Sequence, residues 1–204
     1  MTALIAFVRE DAVHVLTDGV ASGVDGQVLF HVHKAMPLSN VNAVVATRGP
    51  ASLLTSAWLS CGHRATFDDA ADDLGETLKA NAAAQRAVAE RNGIASAEAC
   101  EILLAGWSER EGQPVAWFVS EIERPGLAAF TVTRIYGLAS PETDIPLTHD
   151  MDPATDGLRI MREQRGCPDL PVGGFCQITT VYRDRIETRI LERWPDGVGE
   201  RMEA

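Results

Sequence analysis

Lysine is almost missing from this chain: of its 18 basic residues only Lys34 and Lys79 are lysines, and the rest are arginines. Basic charge is scarce altogether, 18 residues against 29 acidic ones, for a formal net charge of −11. That balance argues against nucleic acid as a partner, because phosphate binding needs clustered Lys and Arg. An acidic surface chiefly serves solubility. Long apolar runs are missing too. No stretch approaches the ~20 consecutive apolar residues of a membrane-spanning helix, so no membrane association is expected. The first residues carry no basic region ahead of an apolar one and reach a charge by Arg9, so the expected compartment is the cytoplasm. Cys61, Cys100, Cys167 and Cys176 lack the paired spacing of zinc or redox motifs and read as free thiols in a reducing compartment. No repeat, low-complexity tract or linker divides the chain. A single domain is expected over residues 1–191, with residues 192–204, which hold Pro195, Gly197 and Gly199, as a loose tail.

What is present supports an α+β fold. With 46% apolar side chains the chain can bury a full core. Residues 3–8 and 13–17 are β-branched-rich apolar runs joined by the polar turn Arg9-Glu10-Asp11, a hairpin signature that leaves Asp18 at a strand end. Residues 27–34 alternate as a further strand, which would put His31 and His33 on one face; two histidines alone do not make a metal site. Residues 43–48 form an apolar strand that stops at Gly49, and Pro50 then opens a helix over residues 51–63 with Leu53, Leu54, Ala57, Trp58 and Cys61 on one face. A long Ala-rich helix is expected from Phe67 to Asn92, acidic at its start, with Arg86 and Arg91 late and Gly93 as its stop. Strands follow at 101–107, 114–120 and 127–135, then a helix capped by Asp152 and stopped at Gly166, and a closing hairpin over 175–191. This order suits two antiparallel sheets packed face to face with helices outside.

One set of residues carries chemistry. Thr2 becomes N-terminal once Met1 is removed, and Asp18, Lys34 and Gly49 follow it at near-even intervals. A threonine hydroxyl is a weak nucleophile at neutral pH and needs a base within hydrogen-bond reach. A free α-amine titrates near pH ~8, so a terminal threonine brings its own base. Lys34 would supply a compact cation beside it, Asp18 would hold that ammonium, and Gly49 at a strand end would let backbone N–H groups approach a developing oxyanion. Taken singly, each is ordinary: small second residues permit Met removal, Asp18-Gly19 is a turn signal, and Gly49-Pro50 is a strand-to-helix break.

Four stretches carry a family likeness: Thr2 after a single Met, TDGVASG at residues 17–23, Lys34 in HVHKAMPL, and AVVATRGPASLL at residues 43–54. Through them the run from Thr2 to Trp58 resembles the proteasome β-subunit family of N-terminal-nucleophile hydrolases, most of all the peptidase subunits of bacterial two-component ATP-dependent proteases. EILLAGW at 101–107 and GGFCQITTVYRDRIETRIL at 173–191 are similar to that family's central strand and to its glycine pair and terminal hairpin. The resemblance implies a four-layer αββα sandwich and a threonine peptidase that uses neither metal nor cofactor. In it Thr2 is the nucleophile, Asp18 and Lys34 its charge partners, Gly49 an oxyanion donor and Asp169 the supporting aspartate. It further implies an apolar specificity pocket lined by Val32, Met36, Ala46 and Leu54, a peptide or unfolded-protein substrate, a homo-oligomeric ring, and an ATP-dependent unfoldase as partner. Two supporting serines of the family pattern fall on Val172 and Leu138, with Ser140 a short shift away. Those departures keep open an inactive proteasome-like scaffold; a third expectation is an amidase of small molecules built on the same nucleophile.

Overall fold

The computed structural model of the chain describes residues 2–23, 26–93, 99–124, 126–167 and 170–202. The fold is α+β, and among the described residues all strand pairs are antiparallel. One five-stranded sheet has the order β10-β1-β2-β11-β12, from Gly137–Ser140, Leu4–Val8, Ala12–Asp18, Phe175–Tyr182 and Ile186–Arg193. A second has the order β5-β6-β7-β8-β9, from Ala35–Leu38, Ala43–Arg48, Glu101–Ser108, Gln113–Ser120 and Thr133–Ile135. A separate hairpin pairs β3 (Val20–Ser22) with β4 (Val28–His31).

Side-chain alternation divides the core. Leu4, Ala6, Val13 and Val15 of the first sheet meet Val44, Ala46, Leu103, Ala105 and Phe118 of the second in one buried cluster, so the two sheets pack face to face. The opposite residues of the second sheet, Val45, Ile102 and Leu104, pack against α1 (Ala51–Gly62), α2 (Phe67–Asp72) and α3 (Leu74–Arg91). Ile5, Phe7 and Leu16 on the outer face of the first sheet pack under α4 (Thr155–Arg165), where Ile160 and Met161 are fully buried. That helix lies close to the sheet at Gly157, where an added Cβ would come within 2.7 Å of Leu16.

The local signals hold at several ends. The Arg9 amide closes the β1–β2 turn on the Ala12 carbonyl at 2.9 Å, and Asp152 accepts the Thr155 amide at 2.7 Å at the start of α4. Elsewhere the structure departs from the sequence reading. The stretch 27–34 is not one strand: β4 ends at His31, and the Val32 amide turns to the Gly19 carbonyl at 3.0 Å before β5 begins. The two histidines nevertheless both lie against the Phe175 ring, at 6.5 and 5.3 Å between centroids, His31 bonding the Asp196 carbonyl and His33 the Gln177 side chain. The helix expected over 67–92 breaks at Asp73, whose backbone (φ −93°, ψ 0°) re-aims the chain so that Leu74 and Leu78 are both buried. Of 127–135 only Thr133–Ile135 is strand, because Phe130 takes a positive φ of 57°.

The C-terminal residues are also tied down where a loose tail was expected. Gly199 and Glu200 exchange backbone bonds with Val28 at 2.8 Å, and Gln27 bridges Arg201. Asp196 is gripped by both terminal nitrogens of Arg165 at 2.9 Å and accepts the Gly174 amide at 2.7 Å. Removing one partner of a pair this buried leaves the other uncompensated, so Asp196→Ala should lower the unfolding free energy by about 3 kcal/mol. Urea denaturation checks this, and a midpoint equal to wild type contradicts the clasp.

Candidate functional site

β1 and β2 meet at the open end of the first sheet, and Asp18 closes β2 there. Its carboxylate is fully buried and receives the Lys34 ammonium on both oxygens, at 2.9 and 2.8 Å. The same carboxylate accepts the Ala3 amide at 3.0 Å on Oδ1, and the Val20 and Gly173 amides at 3.3 and 3.4 Å on Oδ2. Lys34 lies in the turn between β4 and β5, and Ala35, which opens β5, is buried in the same inter-sheet cluster as Leu4. The interval between Asp18 and Lys34 in the sequence is thus a buried ion pair in space, and the peptide that follows Thr2 hangs from its acidic member. Thr2 itself is 6% exposed. Leu4 and Ala6 face the core between the sheets whereas Ala3 and Ile5 pack in the cluster under α4.

Gly49 lies at the same corner, with φ +124°, where β6 turns through Pro50 into α1. A side chain there would be strained by the backbone and would crowd Cys100 and Leu53 at 3.4 Å. Asp169 lies outside the described residues. The four pocket residues do not share one surface. Met36 and Leu54 pack together against the helix-side cluster, Val32 sits in the turn before β5, and Ala46, which pairs with Ala35, points into the inter-sheet core on the other face of β6. Period-two alternation separates Ala46 from Val45, and Val45 is the residue paired with Met36.

A second set of groups meets at this corner; of these only Ser140, beside a supporting-serine position, stood out in the sequence, and Arg48, Glu101 and Arg124 did not. The Arg48 side chain, at the end of β6, donates from Nε to the Thr2 carbonyl at 2.9 Å and from Nη1 to Ser140 Oγ at 2.8 Å. It also pairs with Glu101 at 3.2 Å; Ser140 Oγ in turn donates to Glu101 at 2.9 Å, and Arg124 forms a second ion pair with Glu101. Glu101 and Ser140 are fully buried. One signal pointed there: a glutamate opening the otherwise apolar strand EILLAGW must find a cation. Lys34 and Asp18 cancel in formal charge, whereas Arg48 and Arg124 share one carboxylate. Within these two clusters, the surplus positive charge beside Thr2 comes from the arginines. Leu138 and Val172 are apolar core residues on either side of the first sheet, and Ser140 is the hydroxyl that reaches this network.

The Gly173-Gly174 pair links the site to the C-terminal clasp, its first amide bonding Asp18 and its second Asp196. Cys176, paired with Asp18 across β2 and β11, has its thiol pushed up to about 12 by burial and by that carboxylate, which makes it inert.

A separate cavity of about 350 Å³ opens on the outer face of the first sheet, lined by His14, Asp152, Thr180, Glu187 and Arg189 among others. His14 bonds Thr180 Oγ1 at 3.1 Å. Burial, and then Arg9, hold its imidazole below the ordinary range, with Arg189 adding a little and Asp11 and Asp152 opposing. Because the unfolded state binds that proton first, stability should fall as pH drops below about 6.5. Urea midpoints at pH 7.5 and 5.5 check the point: His14→Gln should flatten this limb, and an unchanged slope contradicts it.

No protein-family model matches the chain, and no curated protein matches it significantly. Among the described residues, no helix is long and apolar enough to cross a membrane.

Proposed function

We propose that the chain is a threonine peptidase of the N-terminal-nucleophile type, whose mature form begins at Thr2. The observation that carries this reading is the Asp18 carboxylate, which holds the Lys34 ammonium and the Ala3 amide at once and so sets a cation beside the first residue. The two face-to-face sheets with helices packed on both outer faces support the finer description, a four-layer αββα sandwich of the proteasome kind.

In this mechanism the Thr2 hydroxyl attacks the substrate carbonyl while the Thr2 α-amine, through a water, takes its proton. The tetrahedral oxyanion draws on backbone N–H groups at Gly49. Collapse breaks the C–N bond, the departing amine leaves with the proton held by the α-ammonium, and an ester to Thr2 remains. A water then attacks the ester with the α-amine again as base, releasing the acid and restoring the hydroxyl. Lys34 lowers the cost of the negative charge that builds on the threonine oxygen. An apolar residue ahead of the cut bond is expected from Met36 and Leu54, and the resemblance adds a cytoplasmic ring fed by an ATP-driven unfoldase.

Unstructured peptides against small amides test the reading. The peptides should be cleaved after apolar residues; turnover confined to small amides assigns the same nucleophile to amidase work. Leu138 and Val172, apolar where the family pattern has serines, favour a second reading, an inactive scaffold subunit. Absence of any amide hydrolysis by chain beginning at Thr2 would establish that one.

A further inference from the structure

We propose that Arg48, clamped by Glu101 and Ser140, is the positioning residue that fixes the Thr2 backbone for attack; this deepens the threonine reading above and rests on it. The ladders of β1 begin at Leu4, two residues past Thr2, so strand pairing does not hold the nucleophile's own peptide. Two side chains do. The carbonyl of Thr2 and the amide of Ala3 belong to one peptide group, and that group is held at both ends: Arg48 Nε donates to its oxygen at 2.9 Å, and its N–H donates to Asp18 Oδ1 at 3.0 Å. A planar unit gripped by a cation on one edge and an anion on the other has its orientation set, and with it the direction in which Cα of Thr2 presents the hydroxyl.

Arg48 can serve as a rigid post because its own position is overdetermined. Its Nη1 donates to Ser140 Oγ at 2.8 Å and to Glu101 Oε2 at 3.2 Å, and Ser140 Oγ closes the ring by donating to the same Glu101 oxygen at 2.9 Å. These three residues come from the end of β6, the start of β7 and the end of β10, so the ring ties Thr2 to both sheets at once. Arg124 on the other oxygen of Glu101 balances the carboxylate without loosening the ring. A planar fork is required here, since lysine offers a single point of contact and cannot bond a carbonyl, a hydroxyl and a carboxylate in fixed directions.

The test compares wild type, Arg48→Met, Arg48→Lys and the double variant Arg48→Met/Glu101→Gln, which leaves no lone carboxylate should the single variant fold poorly. Two readouts are taken: kcat and KM on an unstructured peptide, and the order of the Thr2 methyl group by NMR of threonine-labelled mature protein. Misplacement of a reacting group costs on the order of 10²-fold, so Arg48→Met and the double variant should lose about that in kcat with KM nearly unchanged. Their Thr2 methyl signal should become motionally averaged, and Arg48→Lys should recover part of both. Unchanged kcat and an ordered Thr2 methyl in a folded double variant overturn the clamp while leaving the threonine reading intact. An ordered, Arg48-dependent Thr2 in a wild-type chain that hydrolyses no peptide overturns the catalytic purpose of the clamp together with that reading.

Discussion

Exchanging Lys34 for methionine should abolish peptide hydrolysis, by at least about 10³-fold in kcat/KM, and lower the unfolding free energy by about 3 kcal/mol. Both losses have one cause. The Lys34 side chain is 9% exposed and its partner Asp18 is fully buried, so the methionine leaves a carboxylate in a dry corner with three backbone amides and no cation. The same change removes the positive charge that would favour negative charge on Thr2. A second substitution separates the two effects. Lys34→Met/Asp18→Asn deletes both charges while the amide oxygen still accepts from Ala3 and the Val20 and Gly173 amides lose their acceptor, so urea denaturation should show part of the stability returned. Peptidase assays on the double variant should still read background. A Lys34→Met chain with wild-type activity removes the ammonium from the mechanism.

Thr2→Ala makes the complementary case. The substitution takes away the nucleophile and leaves the Asp18–Lys34 pair, the Ala3 amide bond and the Arg48 bond to the residue 2 carbonyl in place. Activity should fall by at least about 10³-fold, as when other activated nucleophiles are deleted, while the unfolding free energy stays within about 1 kcal/mol of wild type. The two variants together thus dissociate the chemistry from the fold: one loses both, the other only the chemistry. An active Thr2→Ala protein places the hydrolysis on some other residue.

Local signals were legible in the sequence where local physics decides. The Arg9–Asp11 turn, the Pro50 start of α1 and the Asp152 and Gly166 ends of α4 follow from turn and cap chemistry within a few residues. The spacing of Asp18 and Lys34 was legible for a different reason: Lys34 is one of two lysines, and a scarce residue type beside a strand end stands out. The Arg48–Glu101–Ser140 ring was not legible, because it joins three strands far apart in the chain and no periodicity reports which strand ends meet. Arg48 reads from the sequence as one more arginine among many, and Ser140 as a near miss of a motif. The break after His31 was hidden for a related reason: the β3–β4 ladder ends at the Val20–His31 pair, and the C-terminal residues that bond β4 do so at Val28, so the alternating stretch has no ladder partner past His31 among the described residues. Ala46 shows the limit of carrying pocket residues over by motif, since one position along β6 moves a side chain from the helix face to the inter-sheet face.

The most direct measurement is the intact mass of natively produced protein before and after a peptide epoxyketone, a reagent that closes on both the hydroxyl and the α-amine of a terminal threonine. The chain should be lighter by one methionine and take up a single adduct on Thr2, with no adduct on Thr2→Ala. Retention of Met1, or a mature chain that stays unmodified while its Asp18–Lys34 pair is intact, contradicts the threonine mechanism.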